Sequence, residues 1–155
     1  MHVQRAIYSG SLALKKSKVR EENVSGAVKS SILAYYRVLV VEDEPIFAED
    51  ITQTLLEHGA FVIGPVATGA AALALIEDEP VDVAVLDIGL GGQCDFSVSE
   101  ALRERGVPFV FATGHSRFSI PAAYRDVPRW EKPFKPEHLA KSLPKFVLGA
   151  PASMA

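Results

Sequence analysis

Val83-Ala84-Val85-Leu86-Asp87 is an apolar run that stops at a carboxylate, and it opens into the glycine-rich loop Gly89-Leu90-Gly91-Gly92. A continuous apolar run of this length between turn signals suits a strand covered on both faces, not one with a wet side. Upstream, Val38-Leu39-Val40-Val41 ends in the same manner at Glu42-Asp43. Downstream, Phe109-Val110-Phe111-Ala112 ends at Thr113-Gly114, and a short segment around Trp130 ends at Lys132-Pro133. Four buried-type strands each deliver a polar group at the carboxyl end, which gathers three acids, a hydroxyl and an ammonium.

The intervening segments carry helical periodicity. Ile46, Phe47, Ile51, Leu55 and Leu56 fall near a 3.6-residue spacing, so Pro45–His58 is expected as an amphipathic helix. Proline is tolerated in its first turn, Asp43 or Glu44 can cap it, and Gly59 ends it. Further helices are expected near 68–77, 96–105 and 136–147, with strands at 37–41, 61–66, 81–87, 107–112 and 129–131. Residues 114–128 read as an irregular connection with at most a short helix. Alternating strands and helices imply an α/β fold, a doubly wound five-stranded parallel sheet of order 2-1-3-4-5. The site of such a sheet lies beyond the carboxyl ends of its strands at the switch in strand order, here between the first and third strands.

Bulk properties narrow the function. The chain has 155 residues, enough for one core without disulfides, and Cys94 is its only cysteine. That cysteine is read as an inert small residue, in keeping with a reducing, cytoplasmic setting. Residues 1–36 carry six Lys/Arg against two Asp/Glu, whereas residues 37–155 carry ten against seventeen. An acidic body opposes a nucleic-acid groove, and no apolar run approaches the roughly 18 residues of a membrane span. Residues 1–36 are expected to be a largely disordered N-terminal extension with at most a helical turn around 30–36, residues 37–148 the folded domain, and residues 149–155 a flexible tail. The apolar stretch Ile7–Leu14 is too short for a secretory signal.

The loop after the first strand, Glu42-Asp43-Glu44-Pro45, excludes a glycine-rich phosphate cradle. Three carboxylates within about 5 Å would repel by roughly 3 kcal/mol per pair at an effective dielectric of 20. A hard divalent cation such as Mg2+ removes that cost, with Glu42, Asp43, Asp87 and the Gly89 carbonyl as ligands. Glu44 is read as an exposed charge or a helix N-terminal charge. Asp87 is then a ligand only, or a nucleophile as well, able to form an aspartyl phosphate. In the second role Lys132 and the Thr113 hydroxyl would stabilise the transferring oxygens. Lys132-Pro133 permits a cis peptide.

With those residues in place, the chain resembles the receiver domain of two-component response regulators over Arg37 to about Leu148. The likeness rests on Val40-Val41-Glu42-Asp43-Glu44-Pro45, Leu86-Asp87, Thr113 and Lys132-Pro133-Phe134. It implies that Asp87 is the phosphoacceptor, Glu42 and Asp43 the Mg2+ acids, Thr113 the switch hydroxyl and Lys132 the phosphate partner. Phe109-Val110-Phe111-Ala112-Thr113-Gly114 is similar to the FAT GUY subgroup, and Asp87-Ile88-Gly89-Leu90-Gly91-Gly92 agrees with it. Two departures concern readout. His115 stands where the subgroup has an aromatic, and Arg129 stands where ordinary receivers carry the switch aromatic, with Trp130 beside it. His115 is read as a polar loop residue and Trp130 as a packing residue.

The resemblance implies a single-domain response regulator that is not a conventional enzyme, since no output module is expected after the last helix. Its partners would be a histidine kinase or histidine phosphotransfer protein and a downstream protein target, with a homodimer left open. Two alternatives stand beside it: a pseudo-receiver that only binds, and a phosphatase turning over through an aspartyl phosphate. Gly89 opposes the latter, because such enzymes commonly place a second acid two residues after the nucleophile.

Overall fold

The computed structural model of the chain describes residues 31–114 and 120–149. Five parallel strands form one sheet: β1 (Arg37–Val41), β2 (Phe61–Val66), β3 (Val83–Leu86), β4 (Phe109–Thr113) and β5 (Arg129–Glu131). Their spatial order is 2-1-3-4-5, the doubly wound arrangement expected. Among the described residues, four α-helices cover it: α1 (Pro45–Glu57), α2 (Gly69–Asp78), α3 (Ser97–Glu104) and α4 (Pro136–Leu148).

The two-residue period of the strands divides the apolar runs between two cores. Val38, Val40, Val83, Val85, Val110 and Ala112 face α1 and α4, where they meet Ile51, Leu55, Leu139 and Leu143. Leu39, Val41, Ala84, Leu86, Phe109 and Phe111 face α2 and α3, against Ala72, Ile76, Val98 and Leu102. Both faces are dry, which is why these strands show no polar alternation. Phe111 is among the largest fully buried side chains, and its truncation to Ala would cost about 3–5 kcal/mol.

Helix ends follow local chemistry. Thr68 accepts the Ala71 N–H at 3.1 Å as the N-cap of α2. Gly59, at φ +92°, closes α1 with its N–H on Leu56 O at 3.0 Å. Pro45 opens α1, but the Glu44 side chain makes no cap hydrogen bond there. The first, second and fifth strands have the expected bounds, and the ends of the other elements shift by one or two residues, the ordinary fraying of boundaries.

Two features escaped the sequence reading. The folded unit does not start at Arg37. Leu33 is fully buried in the α1/α4 core, its N–H bonds His58 O at 3.0 Å, and Tyr36 O accepts the Phe61 N–H at 2.8 Å. Residues 31–36 make the single turn expected there, too short to show which of its side chains is buried. The second feature lies in β2, where pairing with β1 slips between Leu39 and Val41. Gly64, at φ +95°, sits at that slip, and a Cβ there would lie 2.8 Å from Val40 O.

Between β4 and β5, residues 120–128 hold a short 3-10 turn at Ala122–Tyr124, in keeping with the expected irregular connection. Tyr124 stacks on Phe96 with ring centroids 5.2 Å apart, and the Arg103 guanidinium lies 4.6 Å from its ring. His115 and the stretches 1–30 and 150–155 lie outside the described residues.

Candidate functional site

The sheet delivers its polar residues to one place because the backbone stays in register one step past each strand. Glu42 N–H bonds Val66 O at 2.9 Å, and Asp87 N–H bonds Val41 O at 2.8 Å. Lys132 N–H bonds Thr113 O at 3.2 Å, which ties the residue after β5 to the end of β4. Each functional side chain thus hangs from a backbone anchored on its neighbour. Glu42 is 3% exposed and Asp87 7%, while Thr113 is fully buried.

Carboxylate oxygens of Glu42, Asp43 and Asp87 all lie within 4.8 Å of one another. The glycine-rich loop folds back over them. Gly89 N–H donates to Asp87 Oδ1 at 2.8 Å, and Gly91 N–H to Asp43 Oδ2 at 3.0 Å. Gly91 and Gly92 sit at φ +62° and +77°, conformations that favour glycine and allow this close return. The Gly89 carbonyl receives the Gly92 N–H at a long 3.4 Å.

Lys132 is the cation of the cluster. Its Nζ lies 2.8 Å from Glu42 Oε2, 2.8 Å from Glu44 Oε1 and 3.0 Å from Asp87 Oδ2. The Phe47 ring centroid is 4.6 Å away, and Phe47 in turn packs on Phe134. The Lys132-Pro133 peptide is cis, the isomer anticipated for it. Lysine carries three donors, and all three have an acid oxygen in reach. Glu44 was expected to be a free surface charge or a cap. It is exposed, yet its carboxylate is committed to Lys132. Eighty-eight residues separate the two, so no local pattern could reveal the pair.

The electrostatics divide the acids. Burial pushes the Glu42 carboxyl up, and the Asp87 charge adds to that; the Lys132 ammonium and the Glu44 N–H offset them only partly, leaving it at about 7. Burial also works against Asp87. There the Gly89 N–H, the Lys132 ammonium and the Thr113 hydroxyl prevail, holding the carboxyl below the usual range. Lys132 loses hydration to burial, but Glu42, Glu44 and Asp87 more than compensate, and its pKa is raised.

One atom remains poorly served. Glu42 Oε2 is buried beside Lys132 Nζ, but no donor is aligned on it as a hydrogen bond. A buried carboxylate oxygen without a directed donor, next to two other carboxylates, fits the hard oxygen donor set that Mg2+ takes.

Of the remaining residues, Trp130 packs against Phe134 on the α1/α4 core, as expected of a packing residue. Arg129 pairs with Glu131 at 2.9 Å on the opposite face of β5. Cys94 is exposed. Among the described residues, no helix is long and apolar enough to cross a membrane.

Known proteins carry the same frame. The chain aligns over 74% of its length with the solution structure of SdrG from Sphingomonas melonis Fr1, at 42% identity and a TM-score of 0.64, covering 97% of that chain. PhyR from Brucella abortus aligns at 28% identity and a TM-score of 0.65, over 77% of this chain and 51% of that one. The transcriptional regulatory protein TorR of Escherichia coli O157:H7 is 30% identical over 82 residues, 52% of this chain and 35% of TorR. The chain thus spans about a third of the length of curated relatives such as TorR and NarL. The family model for the response regulator receiver domain matches residues 38–143. A sheet that brings buried acids, a hydroxyl and a lysine together at its switch point, matched by that model over most of its length, belongs to the response regulator receiver domain family.

Proposed function

We propose that the protein is a response regulator that accepts a phosphoryl group on Asp87 from a histidine kinase or histidine phosphotransfer protein. An Asp87 oxygen attacks the phosphorus, the bond from phosphorus to the donor breaks, and the donor leaves with that electron pair. The observation that carries this reading is the Lys132 ammonium 3.0 Å from Asp87 Oδ2. It places fixed positive charge beside the oxygen that would bond to phosphorus, in a site already sheltered from water. A low Asp87 pKa keeps the nucleophile ionised.

Glu42, Asp43 and Asp87, with the Gly89 carbonyl, would hold Mg2+, which supplies further charge neutralisation on the phosphoryl oxygens when bound. The Thr113 hydroxyl, buried and bonded to Asp87, is suited to report the arrival of the group by re-pairing with it.

The Phe109–Gly114 motif and the 42% identity to SdrG support a FAT GUY-like receiver. SdrG is covered over 97% of its solved chain, which supports a function carried by the receiver fold itself. Such a protein would signal in the cytoplasm by contact with a target protein, or drain phosphate from its kinase. A BeF3-activated conformation of SdrG has been solved, so the same mimic is a fitting probe here.

The test is incubation with acetyl phosphate and Mg2+, followed by intact-mass measurement. One added phosphoryl group is expected, absent without Mg2+ and absent in Asp87→Asn. Undiminished labelling of Asp87→Asn would remove Asp87 as acceptor.

A further inference from the structure

Lys132 is held by acids before any phosphate arrives. Acid oxygens of Glu42, Glu44 and Asp87 lie within 3.0 Å of its Nζ, and those of Glu44 and Asp87 accept hydrogen bonds from it. An incoming phosphoryl oxygen therefore competes for Lys132 with acids that already hold it. Glu42 and Asp87 are buried, and an unpaired carboxylate there has no water to turn to. The Glu44 side chain is 58% exposed, and solvent can take over its carboxylate at little cost. It is the partner that yields. Phe47, half-buried against the same ammonium, blocks a retreat of Lys132 to that side.

We propose that Glu44 is a positioning residue that holds the Lys132 ammonium in the resting site and surrenders it when an anionic group arrives on Asp87. Glu44 thereby sets how tightly the phosphoryl group is held. The proposal rests on the reading of Asp87 as acceptor. It assigns to the third acid of Glu42-Asp43-Glu44 a part opposite to that of the first two. They recruit the group, and Glu44 competes with it for the lysine.

The experiment is calorimetric titration of the full-length protein with BeF3− at saturating Mg2+. Glu44→Gln removes the competing charge and keeps the side-chain volume. An exposed ion pair is worth a fraction of a kcal/mol to about 1, so BeF3− affinity is expected to rise about two- to fivefold. Glu49→Gln, which neutralises an exposed acid in the next turn of α1, controls for the general loss of negative charge and is expected to leave affinity unchanged. Phosphate loss after acetyl phosphate labelling should slow in Glu44→Gln by a similar factor, an effect that a change in folding stability alone would not produce. Equal or weaker BeF3− binding by Glu44→Gln would overturn the proposal, as would the same gain in Glu49→Gln. No BeF3− binding by the unaltered protein would instead remove the phosphoacceptor reading, and the proposal with it.

Discussion

The two ends of the sheet each carry an ion cluster, and they are built to opposite plans. At the amino end Arg37 meets Asp82 as a matched fork: Nε on Oδ2 at 3.0 Å, Nη2 on Oδ1 at 3.0 Å, and the Arg37 backbone N–H on Oδ2 at 2.7 Å. One cation answers one anion, every oxygen has a donor, and the side chains are 44% and 26% exposed. At the carboxyl end one lysine answers Glu42, Glu44 and Asp87 in a largely dry setting, with Asp43 close by. The first arrangement is satisfied and staples β1 to the approach of β3. The second has more negative charge than its lysine can neutralise. Surplus charge in a buried place is a standing demand for a cation, and the demand is what makes that end able to respond.

The largest expected effect separating the two ends is on chemistry. Lys132→Ala should reduce phosphate incorporation from acetyl phosphate about a hundredfold or more, the scale of losing one stabilising group at a developing charge. Arg37→Ala should leave it unchanged. A loss of labelling in Arg37→Ala would show that the two ends are not independent.

Next in size is the response to metal. Mg2+ at about a hundred times its dissociation constant should stabilise the fold by about 2.7 kcal/mol, read as a rise in thermal midpoint. The gain should vanish in Asp43→Asn and persist in Asp82→Asn. Persistence in Asp43→Asn would place the metal elsewhere.

The two ends should also titrate in opposite senses. The Glu42 carboxyl is raised from its ordinary 4.5 to about 7, so the folded state holds its proton more tightly than the unfolded chain does. Without metal, its contribution to stability is fully present below about 4.5 and lost as pH rises through about 7. Asp82 is held below its ordinary 3.8, chiefly by the Arg37 hydrogen bonds, so its contribution is present above that value and lost at lower pH. Denaturant midpoints against pH should lose their slope near 7 in Glu42→Gln and only their acid limb in Asp82→Asn. A slope near 7 surviving in Glu42→Gln would assign that titration to another group.

The smallest effect belongs to the satisfied pair itself. Arg37→Ala should cost about 1 kcal/mol or less in unfolding free energy, because half-exposed pairs trade well-hydrated states for modest Coulomb gain. A loss several times larger would show that the fork organises the sheet as well as fastening it.

The legibility of the molecule follows the same division. Val38–Val41, Val83–Leu86 and Phe109–Ala112 are runs whose period and length speak for buried parallel strands without outside help. The groups that close them, Glu42, Asp87 and Thr113, could be read as one site because parallel strands must present their carboxyl ends together. Leu33 was missed because a single turn carries no period, and its burial depends on where α1 ends. Gly64 was missed for a related reason: the close approach of Val40 O is a fact of strand pairing, invisible in Phe61–Val66 alone. Glu44 is exposed as expected, but its pairing with Lys132 was missed because the two stand 88 residues apart in the chain.

By itself the order of residues determined the elements, their winding and the identity of the groups at the strand ends, since these follow from short-range periodicity and from the handedness of parallel crossovers. Only the folded structure decided which oxygen faces which nitrogen. Pairing between residues distant in the chain depends on distances of a few tenths of an ångström, and these are set by packing across the whole sheet. The state of charge of Glu42 and the allegiance of Lys132 are therefore properties of the fold, though the residues that carry them were in view from the start.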